Sequence, residues 1–133
     1  MRIVVTGGGT GGHVYPALAI IESIKVVKPA VEVLYAGTER GIESRIVPET
    51  GIPFEIINVE GFNKKISLDT IKNLYLLIKS LFRANKLLNK FKPTMVIGTG
   101  GYVSFPVLFV AAIKKIPIFI HEQNAHPGVA NKL

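Results

Sequence analysis

A glycine-rich segment near the amino terminus has the composition of a phosphate-binding loop. It reads Gly7-Gly8-Gly9-Thr10-Gly11-Gly12-His13, and it lies between an apolar, strand-like run and a helical pattern of apolar residues. Glycine lets a ligand approach the backbone closely, and a helix amino terminus offers N–H groups and the positive end of its dipole. The segment therefore predicts a phosphate or diphosphate site, the plain alternative being a tight strand-to-helix turn.

A second glycine segment repeats this arrangement at residues 95–104. Here an apolar run leads into Gly98-Thr99-Gly100-Gly101-Tyr102, and another apolar helical pattern follows. Two such segments in one domain predict a cleft with a phosphate-binding loop on either side.

Polar side chains lie at the end of the first glycine loop and directly after the last predicted strand. His13 lies where the first loop becomes helix, and an imidazole can hydrogen-bond a phosphate or act as a base near neutral pH. We take His13 as the candidate catalytic residue, with a capping role as the alternative. The run His121-Glu122-Gln123-Asn124 directly follows the last predicted strand, where it would bind sugar hydroxyls or hold the adjacent loop.

Two other kinds of site fit the sequence less well. Gly7-x-Gly9-x-x-Gly12 is a dinucleotide fingerprint, but such sites need an acid closing the second strand, and Glu39 comes two residues too late. A metal site built from His121, Glu122 and His126 would need adjacent side chains to converge, although on an extended loop they point in different directions. We expect no cofactor and no metal.

Strands and helices alternate along the whole chain. The predicted strands are residues 2–5, 31–36, 53–57, 94–97 and 116–120, and the predicted helices are 16–27, 41–49, 68–89 and 104–114. Several strands are continuous apolar runs, which is typical of a parallel sheet covered on both faces. We predict one α/β domain, a Rossmann-like doubly wound parallel sheet of order 3-2-1-4-5, whose two glycine loops meet at the carboxyl edge.

The composition of the 133 residues excludes several classes of protein. A hydrophobic content of 48% and a mean hydropathy of +0.38 exclude a disordered chain. Cysteine is absent, which excludes disulfides and thiol chemistry and is typical of the cytosol. No signal-peptide pattern opens the sequence, and the longest apolar run, 105–113, is far shorter than the ~20 residues of a membrane-spanning helix.

The positive charge is confined to one segment. Residues 64–92 contain eight basic residues and a single acid, Asp69, and so carry the whole net charge of +7. In helical projection one apolar face is predicted to be core: Ile71, Leu74, Tyr75, Ile78, Leu81 and Phe82. The opposite face mixes cations with leucines and is predicted to contact an anionic membrane through Lys72, Leu76, Lys79, Arg83, Lys86 and Leu87.

The alternative for this basic face is ordinary solvation. Nucleic acid is not the expected partner, because the face has no aromatic residues on which bases would stack.

Three segments of the sequence carry a resemblance to a known family. They are residues 6–13 with Pro16-Ala17-Leu18-Ala19, residues 98–104, and His121-Glu122-Gln123-Asn124 with Pro127-Gly128 and Asn131-Lys132. Together, in this order and spacing, they resemble the MurG family, the peptidoglycan N-acetylglucosaminyltransferases of bacteria. Phe105 departs from the family pattern, which usually has glycine there, and would narrow the second loop.

The resemblance implies half of a two-domain, GT-B type enzyme. Residues 1–133 would form the acceptor-binding amino-terminal domain, without the donor-binding domain. The family moves N-acetylglucosamine from UDP-N-acetylglucosamine to the 4-hydroxyl of a lipid-diphosphate-linked muramyl pentapeptide. It does so with inversion, without a metal, at the cytoplasmic face of the inner membrane.

The family's binding residues carry over by motif. Contacts to the donor are implied for Thr10, Gly11, Gly12 and Asn124. Contacts to the acceptor and its diphosphate are implied for Gly9, His13, Gly100, Gly101, Tyr102 and Glu122. An alternative from another class is a membrane-docking module that recruits a separate catalytic subunit, although such a module would not need His13 or Asn124 at a cleft.

Overall fold

Five parallel strands form the centre of the domain. The computed structural model describes residues 1–9, 11–57, 69–101 and 103–121, except for the side chains of residues 69, 70, 72 and 73. The strands are β1 (Arg2–Thr6), β2 (Glu32–Gly37), β3 (Phe54–Ile56), β4 (Met95–Gly98) and β5 (Ile118–Ile120). Their order is β3-β2-β1-β4-β5, which confirms the predicted topology and fold class.

Four helices connect these strands. They are α1 (Gly11–Val27), α2 (Glu43–Glu49), α3 (Asp69–Phe91) and α4 (Ser104–Ile113). All four strand pairs are parallel. In the central pair the last residue of β1 lies opposite the last residue of β4, Thr6 against Gly98. The loops that leave these two strands therefore start side by side.

The sheet separates two apolar layers. Side chains alternate between faces along a strand, so Val4 packs with α3 and α4 while Ile3 and Val5 pack with α1 and α2. Both faces of β1 are fully covered, which explains why its sequence is a continuous apolar run.

Helix α1 begins five residues earlier than predicted. The sequence suggested a start at Pro16, because proline suits the first helical turn and glycine is a poor helix former. In the structure Gly11, Gly12 and His13 already form the first turn, with Pro16 inside the helix. Bonds between His13 and the second glycine segment hold this turn: Thr99 Oγ1 donates to the His13 carbonyl at 2.6 Å.

The apolar face of α3 that packs on the sheet is not the predicted one. Buried positions are Ser80, Ala84, Leu87 and Leu88, with Leu77, Leu81 and Phe91 packed partly against the same core. Ala84, Leu87 and Leu88 share one core cluster with Val107 and Ala111 of α4. Most of the predicted core stripe lies outside instead: Ile71, Leu74, Tyr75, Ile78 and Phe82.

The membrane-contact prediction needs a matching correction. Leu87 was expected on the exposed basic face, but its side chain is 2% exposed and lies in the core, whereas Phe82 is 71% exposed. Lys79 and Lys86 are exposed as expected, and Leu76 and Arg83 are half-buried. The side chain of Lys72 lies outside the described residues.

Candidate functional site: two joined glycine loops

The two glycine loops are hydrogen-bonded to each other at the carboxyl edge of β1 and β4. The Thr99 N–H donates to the Thr6 carbonyl at 3.0 Å, and the Gly8 N–H donates to the Gly100 carbonyl at 3.2 Å. These bonds continue the strand pairing beyond the strands themselves. The predicted meeting of the two loops is confirmed, and the loops form one joined structure.

His13 lies in the first turn of α1 and reaches across to the second loop. Its Nδ1 is 3.1 Å from the Thr99 carbonyl oxygen. A carbonyl only accepts, so Nδ1 must carry the hydrogen in this bond. In the neutral tautomer the lone pair is then on Nε2. The bond fixes the orientation of the ring and its neutral tautomer.

Gly100 and Gly101 adopt backbone conformations that favour glycine, with φ of 114° and 89°. A methyl group on Gly100 would lie 2.5 Å from His13 Nδ1, and one on Gly101 would run into the Gly8 carbonyl oxygen. Both positions are therefore glycine because the second loop packs directly against His13 and the first loop.

The first loop is also held from the β2 side. The Tyr35 hydroxyl donates to the Gly7 carbonyl at 2.6 Å, and the Gly9 N–H donates to Glu43 Oε1 at 3.3 Å. Burial, and secondarily the charge of Glu43, raises the pKa of Tyr35 well above its usual range. The hydroxyl therefore stays protonated and keeps its role as a donor.

Sequence reasoning missed Glu43. The search for an acid near the end of β2 stopped at Glu39, whereas Glu43 is completely buried at the start of α2. The available signal was topological: β2 neighbours β1 in the sheet, so residues following β2 at the carboxyl edge lie beside the first glycine loop.

The described candidate residues gather at this edge: Gly9, Gly11, Gly12, His13, Gly100 and Gly101. His121 also reaches it, since its N–H donates to the Gly98 carbonyl at 2.8 Å. Thr10, Tyr102, Glu122 and Asn124 lie outside the described residues, as does His126. Within the described ranges, no three His, Asp or Glu side chains are grouped to hold a metal ion.

A second surface feature is an apolar groove between α3 and α4, with a volume of about 370 Å³. It is lined by Ile78, Leu81, Phe82, Asn85, Phe109, Val110, Ile113 and Lys114. We call it the α3–α4 groove. Within the described part of the chain, none of the helices has both the length and the apolar character to cross a bilayer.

Comparison with known proteins decides the family of this fold and site. Residues 3–133 match the glycosyltransferase family 28 N-terminal domain. The chain belongs to glycosyltransferase family 28. This confirms the resemblance seen in the three sequence segments.

Two curated relatives of this family 28 domain share the same name. A protein of Limosilactobacillus reuteri is 54% identical, and the match covers 99% of this chain and 36% of the relative. A protein of Carboxydothermus hydrogenoformans is 55% identical, and the match covers 100% of this chain and 36% of the relative. Both are named UDP-N-acetylglucosamine--N-acetylmuramyl-(pentapeptide) pyrophosphoryl-undecaprenol N-acetylglucosamine transferase. The chain thus spans about a third of the length of these relatives.

Solved structures agree with the family 28 assignment. A crystal structure of Acinetobacter baumannii MurG is 32% identical, covers 98% of this chain and 38% of its own, and superposes with a TM-score of 0.84. A UDP-GlcNAc 2-epimerase from Neisseria meningitidis is 20% identical and superposes with a TM-score of 0.58. The match covers 90% of this chain and 32% of the epimerase chain, and it shows a shared fold alone.

The contact between Gly101 and the first loop predicts a difference between two glycine substitutions. Gly9 and Gly101 have nearly equal φ, 91° and 89°, so alanine is similarly strained at both. A methyl on Gly9 meets nothing within 4 Å, whereas one on Gly101 meets the Gly8 carbonyl. Gly101→Ala should therefore lower the free energy of unfolding by about 1–3 kcal/mol more than Gly9→Ala, as measured by denaturant unfolding. Equal losses would contradict the packing of the two loops.

Proposed function

We propose that this chain is the amino-terminal, acceptor-binding domain of a bacterial N-acetylglucosaminyltransferase of peptidoglycan synthesis. The reaction moves N-acetylglucosamine from UDP-N-acetylglucosamine to the 4-hydroxyl of undecaprenyl-diphosphate-linked N-acetylmuramyl-pentapeptide, with inversion. The observation that carries this proposal is the pair of hydrogen-bonded glycine loops with His13 between them in a family 28 domain. The names of the relatives supply the substrates.

In this proposal the acceptor diphosphate lies between the two loops. The amino terminus of α1 favours an anion through its N–H groups and dipole. Gly100 and Gly101 lack side chains that would keep a phosphate from the backbone. Gly11, Gly12 and residues Thr10 and Asn124 face the donor sugar, whose uridine is held by a second domain. Tyr102 and Glu122 complete the acceptor side.

In this proposal His13 is the general base. Inversion requires the acceptor hydroxyl to lose its proton as its oxygen attacks the anomeric carbon opposite the leaving diphosphate. The bond from Nδ1 to the Thr99 carbonyl orients the ring, and an imidazole is a suitable proton acceptor near neutral pH. The rest of the rate comes from holding donor and acceptor together, so the isolated domain should not transfer sugar.

The α3–α4 groove is the surface we propose for membrane contact. Its exposed apolar side chains include Phe82, Phe109 and Ile113. Exposed Lys79 and Lys86 lie on α3, and exposed Lys114 directly follows α4. Apolar groups flanked by cations suit a surface with a hydrocarbon boundary and anionic headgroups. The protein would then be peripheral at the cytoplasmic face of the plasma membrane, where its lipid-linked acceptor resides.

Substitutions in the first turn of α1 test the active-site assignment in a full-length protein carrying this domain. A methyl on Gly11 would lie 3.1 Å from the ring of Tyr15, an exposed side chain that can move, so Gly11→Ala should fold normally yet lose activity. His13→Ala should lower kcat by about 10²-fold to 10⁴-fold, the usual contribution of a general base. Glu22→Ala, at an exposed position of the same helix, is the control.

Steady-state transfer rates and circular dichroism measure these effects together. Normal turnover by the Gly11→Ala protein would mean that the first loop is only a turn. A His13→Ala protein with unchanged kcat would remove His13 from the chemistry.

Vesicle co-sedimentation tests the membrane surface. Phe82→Ala should weaken binding to vesicles of any charge, whereas Lys79→Gln and Lys86→Gln should each weaken binding to anionic vesicles only, by up to about 1 kcal/mol. The matched control is Lys25→Gln, an exposed lysine of α1 on the other side of the sheet. If Lys25→Gln has the same effect as Lys86→Gln, the binding is general electrostatic attraction and the groove is not the docking site.

A further inference from the structure

Glu43 is a buried acid whose described partners are all neutral. Its side chain is completely buried, and the ion pair found among the described residues, Arg2 with Glu32, lies elsewhere. Acids are seldom fully buried without a specific partner. The carboxylate accepts the Gly9 N–H at 3.3 Å and the Thr38 hydroxyl at 3.5 Å. A fully buried carboxylate beneath the first glycine loop therefore calls for a structural or functional explanation.

The backbone around Glu43 is shaped to admit its carboxylate. A methyl group on Gly8 or Gly41 would run into the carboxylate oxygens, and one on Gly37 would lie 2.6 Å from Glu43 Cγ. Three glycines from three different segments thus enclose one side chain. This close fit leaves the carboxylate little room to move away from the loop.

Each of the three glycines that follow β1 is held by a different part of the fold. The Tyr35 hydroxyl of β2 holds the Gly7 carbonyl, the Gly100 carbonyl of the second loop holds the Gly8 N–H, and Glu43 of α2 holds the Gly9 N–H. Gly9 also has a φ of 91° and is exposed, so among the described residues the Glu43 bond is the contact that fixes it. The first turn of α1 starts two residues later.

We propose that Glu43 is a positioning residue that fixes the end of the first glycine loop and thereby the direction in which α1 and His13 begin. Its part in catalysis rests on the function proposed above. Glu43 touches no substrate in this account, because its side chain is completely buried beneath the loop. The Gly8 and Gly9 N–H groups are both used inside the protein, so the implied contact of Gly9 with the acceptor diphosphate would not be made by its N–H.

Amide hydrogen exchange tests the positioning directly in this chain. Glu43→Ala removes the acceptor, and exchange at the Gly9 N–H should accelerate about tenfold or more, while Val4 and Val5 in β1 keep their protection. Glu43→Gln retains an acceptor oxygen and should stay within about fivefold of the wild type. Glu43→Asp keeps the charge but is one methylene shorter, so it should resemble Glu43→Ala. Glu49→Ala, at an exposed position of α2, should change nothing.

The same variants in the full-length transferase test the catalytic consequence. Glu43→Ala and Glu43→Asp should lower kcat/KM about tenfold to a hundredfold, with Glu43→Gln restoring most of it. Unchanged Gly9 exchange in Glu43→Ala or Glu43→Asp would overturn the proposal. So would equal acceleration at Gly9, Val4 and Val5, which would indicate general loss of stability, or fast Gly9 exchange with full activity. If the wild type transfers no sugar, the proposed function fails while the exchange data still decide the positioning role.

Discussion

The pairing of β1 with β4 is the constraint on which the site depends. Because these strands are parallel neighbours, their loops leave the sheet at the same edge and side by side. Two backbone bonds, from Thr99 to Thr6 and from Gly8 to Gly100, then join the loops. A side chain on one loop can therefore be oriented by the backbone of the other, as His13 is by Thr99. Such an edge, where strand order reverses, is where open α/β sheets bind ligands.

The same sheet places the helices beside the glycine loops and the α3–α4 groove on opposite faces. On one side α1 and α2 provide His13 and Glu43, and on the other side α3 and α4 provide the apolar groove and its cations. The burial of Ala84, Leu87 and Leu88 anchors α3 through one apolar stripe. Its second stripe remains at the surface. A helix with two apolar sides can pack on its own domain and still offer an apolar surface to another phase.

Much of this architecture follows from local sequence, and the failures are instructive. The strand order and the meeting of the loops follow from apolar runs, alternating elements and right-handed crossovers. The predicted start of α1 was wrong because Gly11 and Gly12 have low helix propensity. In the structure, hydrogen bonds between His13 and Thr99 outweigh this low propensity. The predicted core face of α3 was wrong because the helix has two apolar stripes. The stripe that contains Ala84 packs against the sheet and α4. Glu43 was missed because its partners, Gly8 and Gly9, are distant in sequence.

An NMR titration of this chain with a soluble, diphosphate-containing acceptor analogue, beside one with UDP-N-acetylglucosamine, tests the central claim most directly. The claim is that the joined loops form an acceptor site. It predicts that the acceptor analogue shifts the amide signals of His13, Gly100 and Gly101 together, while UDP-N-acetylglucosamine binds only weakly. Micromolar binding of UDP-N-acetylglucosamine, or acceptor-induced shifts confined to residues away from both loops, would contradict it.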